Sequence, residues 1–355
     1  MTVLRDPRCR AEKFPASMLR ELAADPHSPF STVARTVLGM MLVKDDPDHA
    51  RLRGLVNKAF TPRVVSELRP RIQAIADELL DAAARRGGFD AIEDLGMPLP
   101  IIVIAELLGV PLEDRADLKR WSDRLVTFLD GTVRDQGIVE AAAACVEMRA
   151  YMDRIFAARR LAPRDDLISR LLAAREVEDK LSDDELFGTV ALVLAAGHET
   201  TTNLIGNGLY TLLRHPAELA RLRARPELIV SAVEELLRFE SPVTLTSRRL
   251  RADYELDGVR IGADDEINLV LLAANRDPDV FAEPDRFDVA RNDSRHLSFG
   301  FGAHFCLGAA LARLEGQIAL GGAVARFPGM KLARETPAWK PGIVLRGLES
   351  LEIRL

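Results

Sequence analysis

Cysteine is almost absent from this chain: Cys9, Cys145 and Cys306 are the three among 355 residues. An odd number with no close pair excludes a disulfide framework and a cysteine-rich zinc site, and it predicts a reducing cytoplasm. Charge of one sign is not in excess either. Lysine plus arginine total 48 against 54 for aspartate plus glutamate, a net charge of −6 that gives no reason to expect nucleic acid as a partner. The longest apolar runs, "ALVLAAG" (191 to 197) and "PLPIIVIA" (98 to 105), are too short to span a bilayer. The charged start, "MTVLRDPRCRAEKF", lacks the apolar core of a signal peptide, so no membrane partner is expected. There is no internal repeat, no Ser/Gly linker, no dinucleotide-binding glycine fingerprint, no flavin module and no iron–sulfur cysteine cluster.

What is present is enough apolar material for a sizeable core, 48% of residues, with 29% charged. Apolar residues recur at helical spacing over 64 to 87, ending at Gly87-Gly88, and over 113 to 129, 138 to 160 and 165 to 175. Ser182 followed by Glu185 forms a capping box that opens a long helix running to about Leu213. Another helix, over 226 to 242, is bracketed by prolines. Between 243 and 272 the pattern changes to short alternating segments with an Asp-Gly pair, which predicts strands and a hairpin. The expected fold class is mainly α with a small β-sheet portion, in a single domain over 1 to 355.

The rare cysteine stands in a conspicuous place. Residues 299 to 308 read "FGFGAHFCLG", and a helical apolar run with Leu307, Ala310, Leu311, Leu314 and Ile318 on one face follows at once. A lone cysteine is more often a small buried hydrophobe than a reactive group. Here, however, a Cys306 thiolate would meet unpaired N–H groups and the positive end of a helix dipole. Gly300, Gly302 and Gly308 would let the backbone turn sharply and approach something flat.

Phe299, Gly302, Cys306 and Gly308 fill a Phe-x-x-Gly-x-x-x-Cys-x-Gly pattern that resembles the haem-ligand loop of the cytochrome P-450 superfamily. A second segment, "AAGHETTTN" (195 to 203), interrupts the long apolar helix with a glycine, an acid and hydroxyls. Read without context, Thr200 bonds back one turn and Glu199 faces water. In the resemblance, Ala196, Gly197, Glu199 and Thr200 occupy the oxygen-binding segment: Gly197 leaves a groove for dioxygen, Thr200 hydrogen-bonds it and Glu199 relays protons from solvent. His198 falls at the variable position and receives no role.

The resemblance implies further residues. Glu235 and Arg238 in "EELLR", completed by Arg286 in "PDRF", match a structural Glu-x-x-Arg set that locks the segment before the cysteine loop. His49 and Arg53 in "DHARLR", Arg248 in "TSRRL" and His304 match contacts to haem propionates. Phe299, Gly300 and Gly308 are expected against the haem, and Cys306 is the implied iron ligand. The likeness runs from about residue 3 to the final "KPGIVLRGLESLEIRL"; the family's first helix and first two strands are expected to be missing, a shortened form of the fold.

The activity so implied is that of a bacterial-type haem-thiolate monooxygenase with non-covalent haem b. It would insert one atom of O2 into an apolar small molecule by hydroxylation or epoxidation, with thiolate donation favouring O–O heterolysis. Leu192, Val193, Ala196, Val243, Thr244, Leu245 and the loop before His49 are expected to line the substrate pocket. With no redox module in the chain, a separate ferredoxin and ferredoxin reductase with NAD(P)H are expected. Arg51, Lys58, Arg63 and Arg313 are candidates for the docking surface. Two alternatives are a peroxide-driven peroxygenase, disfavoured by the Glu199–Thr200 pair, and a non-catalytic haem or ligand binder.

Overall fold

The computed structural model describes residues 1–11, 16–25, 28, 30–130, 135–178 and 181–355. Its axis is the helix Asp183–Arg214, whose 32 residues span about 48 Å at 1.5 Å per residue. The expected capping box is present: Ser182 Oγ accepts from Glu185 N–H, and the Glu185 carboxylate accepts from Ser182 N–H. Buried residues occupy nearly its whole length and circumference, because helices surround it. Pro98–Leu108, Arg115–Leu129, Ile229–Phe239 and Ala309–Arg326 all pack against it.

The expected helix over 64 to 87 is two helices, Pro62–Glu67 and Arg69–Arg86. Pro70 explains the break, since it has no N–H to continue the first helix and suits the opening turn of the second. Gly87 ends the second helix in the left-handed conformation, φ 72°. The 138 to 160 pattern is part of Asp135–Leu161. The proline-bracketed segment becomes a short 3-10 turn and then Ile229–Phe239.

The strands are short and lie to one side. Leu245–Leu250 is the centre of a three-stranded antiparallel sheet, with Cys9–Arg10 on one edge and Glu266–Val270 on the other, Arg248 opposite Ile267. The expected hairpin is Tyr254–Leu256 with Val259–Ile261, turning at Asp257-Gly258 with positive φ at both. The C-terminal Glu352–Arg354 pairs with Gly88–Asp90 and Lys331–Leu332.

One buried ionic group ties helix, irregular chain and cysteine loop together. Arg238, fully buried, makes two hydrogen bonds to Glu235, of 2.6 and 2.9 Å. It also donates to the carbonyls of Asn275 at 2.9 Å, Pro284 at 2.8 Å and Arg286 at 3.3 Å. The third ionic member is Arg291, not the expected Arg286. Arg291 lies 3.1 Å from the Glu235 carboxylate and donates to the carbonyls of Ala282, Glu283 and Arg286. The Arg286 side chain is 57% exposed and pairs with Glu283 on the surface, so it contributes only its carbonyl. A buried pair resists loss of one partner far more than an exposed one. Arg291→Ala is therefore expected to lower stability to urea by about 1.5–3 kcal/mol, the range for hydrogen bonds to a charged group. Arg286→Ala should stay within about 0.5 kcal/mol of the parent.

Candidate active site

A cavity of about 350 Å³ opens between the long helix, the cysteine loop and the Leu245–Leu250 strand. Sequentially remote segments meet here: His49 and Arg53, Ala196 to Thr201, Val243 to Arg248, and Phe299 to Ala312 all contribute lining residues. The cysteine loop is shaped by Gly300 and Gly302, whose φ angles of 69° and 81° belong to the left-handed region. A Cβ on Gly302 would lie 2.8 Å from the Leu4 carbonyl oxygen, so a side chain is excluded there twice over.

The loop is anchored from behind. Cys306 N–H donates to the Phe299 carbonyl at 2.9 Å. Asn275 accepts from Leu297 N–H at 2.7 Å and donates to Ser298 Oγ at 2.9 Å, and Ser298 Oγ donates to the Leu237 carbonyl at 2.7 Å. The thiol itself opens on the cavity. Burial raises the Cys306 pKa, against which the Gly308 N–H and the charges of Arg53 and Arg313 favour the anion. A metal ion on sulfur would complete that stabilisation.

Two arginines and two imidazoles also line the cavity. Arg53 donates to the Phe305 carbonyl at 2.7 Å. The His49 and His304 rings stack with centroids 4.0 Å apart. Burial lowers both of their pKa values, that of His304 to about 4 with His49, Arg248 and Arg53 adding to the effect. Arg248 is 6% exposed, and among the described residues its guanidinium has no carboxylate partner; it donates to the Ser247 carbonyl and Thr246. Burial alone lowers its pKa. An unpaired buried cation beside two neutral imidazoles and a second arginine is a site for an anion. The Cβ positions of Gly300 and Gly308, both in the lining, meet no heavy atom closer than 3.9 Å. A flat group could lie against that bare backbone with its carboxylates on the arginines and its metal on Cys306, so the residues present fit haem.

The long helix presents its three consecutive residues in three directions, since successive positions differ by about 100°. Thr200 faces the cavity and donates to the Ala196 carbonyl at 2.9 Å, the back-bond that its sequence context allowed. Glu199 lies outside the lining and is buried rather than in water, with Lys340 Nζ 2.8 Å away. His198 points toward the helix Arg115–Leu129. Gly197 lines the cavity for a reason other than the expected groove alone: a Cβ would lie 2.6 Å from Ile104 Cδ1, so its absence lets the Pro98–Leu108 helix close in.

Leu192, Val193, Ala196, Val243 and Leu245 line the apolar part, together with Met41 and Leu42 from the loop before His49. Thr244 does not. Its neighbours on the strand face the cavity, and it points the opposite way, binding the Ile343 and Val344 carbonyls. Two of the expected docking cations are engaged within the fold. Arg51 pairs with Glu185 and Asp48, and Arg313 forms two bonds to Glu234 while stacking on Phe299 at 4.4 Å. Lys58 and Arg63 are exposed, the latter beside Glu67.

Sequence reasoning passed over Glu315. It sits in the cavity lining, 1% exposed, with one oxygen unpartnered, Thr201 beside it and its pKa raised by burial to about 8. An acid one turn from Leu311 within an apolar face was the available signal. Arg291 gave none, because its approach to Glu235, 56 residues away along the chain, follows only from the path of the intervening loop.

The Cytochrome P450 family model matches residues 23–337. The chain is 47% identical over 317 residues to Cytochrome P450 107B1 of Saccharopolyspora erythraea, covering 88% of this chain and 76% of that protein. It is 43% identical over 318 residues to Polyketide biosynthesis cytochrome P450 PksS of Bacillus subtilis, covering 89% and 77%. Among solved structures it superposes on P450BioI, in complex with acyl carrier protein ligated to hexadec-9Z-enoic acid, with TM-score 0.93 and 38% identity, covering 100% of this chain and 89% of that one.

Two outcomes test the electrostatics. Arg248→Leu should speed haem transfer to apomyoglobin roughly 10-fold or more, the equivalent of one lost charge-assisted hydrogen bond. For Glu315, the folded chain holds a proton between pH 4.5 and about 8 that the unfolded chain releases. Stability should therefore fall as pH rises across that window, and Glu315→Gln should remove the slope in urea unfolding at pH 5, 6.5 and 8.

Proposed function

Because the chain belongs to the cytochrome P450 family and is a haem b monooxygenase, we propose that Cys306 is its iron ligand and that its substrate is a largely aliphatic molecule of the fatty-acyl or polyketide kind. The observation that carries the substrate class is the apolar character of the lining outside the groups assigned to haem. Leu192, Val193, Val243, Leu245, Met41 and Leu42 belong to it, and burial raises the pKa of the acid there, Glu315, to about 8. An aliphatic segment is therefore bound by burial and presented to the oxidant. Relatives named for polyketide biosynthesis, and a structural neighbour holding a fatty-acyl carrier protein, support the same class.

When bound, haem would supply oxygen activation, with O–O cleavage promoted by the electron-rich thiolate of Cys306. The chain's own residues do the rest. His49, Arg53, Arg248 and His304 would hold the propionates, and Phe299, Gly300 and Gly308 would lie against the ring. Ala196 and Gly197 keep side-chain bulk away from the oxygen site. Thr200 turns its hydroxyl from the Ala196 carbonyl to donate into the cavity, and Glu199, across the helix, replaces the proton. Glu235 and Arg238, with Arg291, hold the loop that carries Cys306. Residues 1–355 act as one domain in the cytoplasm.

Electrons come from a ferredoxin and its NAD(P)H-dependent reductase. Lys58 and Arg63, with the exposed ring of Phe305 next to Cys306, are the groups available for docking. Arg51 and Arg313 are already paired and serve the fold.

The carbon monoxide difference spectrum of the reduced protein tests the ligand. A far-red Soret band, lost in Cys306→Ala, is expected; a band at the histidine-ligated position would refute thiolate ligation by Cys306. Saturable low-to-high spin shifts with fatty acids or macrolides, weakened by Val243→Glu, test the substrate class. Turnover with peroxide but not with NAD(P)H and redox proteins would favour the peroxygenase alternative, and spin shifts without any turnover the non-catalytic one.

A further inference from the structure

His198 lies outside the cavity, 1% exposed, between the long helix and the helix Arg115–Leu129. Ser122 Oγ is 3.0 Å from its Nδ1 and fixes the ring. Its Nε2 makes no hydrogen bond of normal geometry. It faces two carboxylates, Asp123 Oδ1 at 3.5 Å and Glu199 Oε2 at 3.9 Å. An unpaired buried nitrogen aimed between two acids calls for an occupant.

The choice lies between a metal ion and a proton. The three ligand atoms lie within 4.8 Å of one another, but the remaining carboxylate oxygens are already taken. Lys119 Nζ sits 2.8 Å from Asp123 Oδ2, and Lys340 Nζ 2.8 Å from Glu199 Oε1. Two ammonium groups balance two carboxylates, with Glu93 adding negative charge near Lys119. A divalent ion would bring surplus positive charge, whereas a proton needs only the lone pair on Nε2. Burial opposes ionisation of Asp123, but His198 and Lys119 lower its pKa nonetheless, which keeps a negative charge facing the imidazole.

Accessibility gives the direction. The Asp123 side chain is 36% exposed, and the imidazole 1%. The two gaps are just beyond bonding distance, so a small tilt of the ring closes one and opens the other, as a carrier requires.

We propose that Asp123 and His198 form a proton entrance to Glu199. Asp123 takes a proton from water, Nε2 accepts it to give imidazolium, and Nε2 then releases it to Glu199 Oε2. Imidazole and Asp123 return to their starting states, and the net change is one proton moved from solvent to the acid beside Thr200. His198 is thus a positioning and relay residue acting through Glu199, and the proposal rests on the reading of Glu199 as proton donor.

The test uses haem-loaded enzyme reduced by NADPH through a surrogate plant-type ferredoxin and reductase. NADPH oxidation is measured against pH in H2O and D2O for the parent, His198→Gln, Asp123→Asn and Glu199→Gln. Peroxide-driven oxidation of guaiacol, in which the oxidant brings its own protons, is the control. Both His198→Gln and Asp123→Asn should slow NADPH oxidation roughly 100-fold or more, the scale of a lost acid–base group. They should also increase the solvent isotope effect, with the peroxide rate and the carbon monoxide spectrum retained. Unchanged rate and pH profile in both variants, with Glu199→Gln impaired, would overturn the entrance and leave Glu199, supplied past Lys340, as donor. An unimpaired Glu199→Gln would overturn both readings. Loss of the peroxide reaction together with a shifted carbon monoxide band would show a structural role and overturn the relay. An effect of His198→Gln not shared by Asp123→Asn would overturn the part given to Asp123.

Discussion

The buried carboxylate of Glu235 is the fixed point of this molecule. Two guanidinium groups, Arg238 and Arg291, converge on it, and their remaining N–H groups are spent on carbonyls between Asn275 and Arg286. That stretch is mostly irregular and cannot satisfy its own carbonyls through a helix or a ladder. The ionic cluster does it instead. Charges so deeply buried are costly unless every donor has an acceptor, and here they gain a unique path for the chain. From Asn275 the constraint passes to Leu297 and Ser298, and through the Phe299 carbonyl to the N–H of Cys306.

A loop fixed from behind leaves its front face free for chemistry. The 299 to 308 segment brings the Cys306 thiol and the bare backbone of Gly300 and Gly308 to the cavity, and Arg53, Arg248, His49 and His304 line the same cavity. Neither half is stable on its own terms: the thiolate is disfavoured by burial, and Arg248 is a buried cation without a carboxylate. Haem, an iron ion in a porphyrin that bears two carboxylates, would meet both deficits at once.

The long helix sends three consecutive side chains toward three different neighbours by rotation alone. Thr200 looks into the cavity, Glu199 toward Lys340, and His198 toward Ser122 and Asp123. These polar groups in the middle of a buried helix are served in different places, Thr200 by the Ala196 carbonyl, Glu199 by Lys340 and His198 Nδ1 by Ser122. The glycine beside them, Gly197, admits Ile104, so the Pro98–Leu108 helix packs closely against the long helix at this point.

The sequence by itself determined the helical architecture, the capped start of the long helix, the hairpin at Asp257-Gly258 and the family, because periodicity, caps and motif spacing are local signals. It also named the residues of the cysteine loop and, in the cavity lining, Leu192, Val193, Ala196, Val243 and Leu245. Tertiary structure alone decided which arginine meets Glu235, since Arg286 and Arg291 lie on the same loop and only its path sends one inward and the other to the surface. It decided likewise that Thr244 turns away while Val243 and Leu245 face the cavity, and that Arg51 and Arg313 are paired inside the fold. His198 shows the limit most clearly: its partners stand on another helix and at a distance in sequence of more than 70 residues for Ser122. A side chain's chemistry is written in the chain, but its partner is chosen by packing.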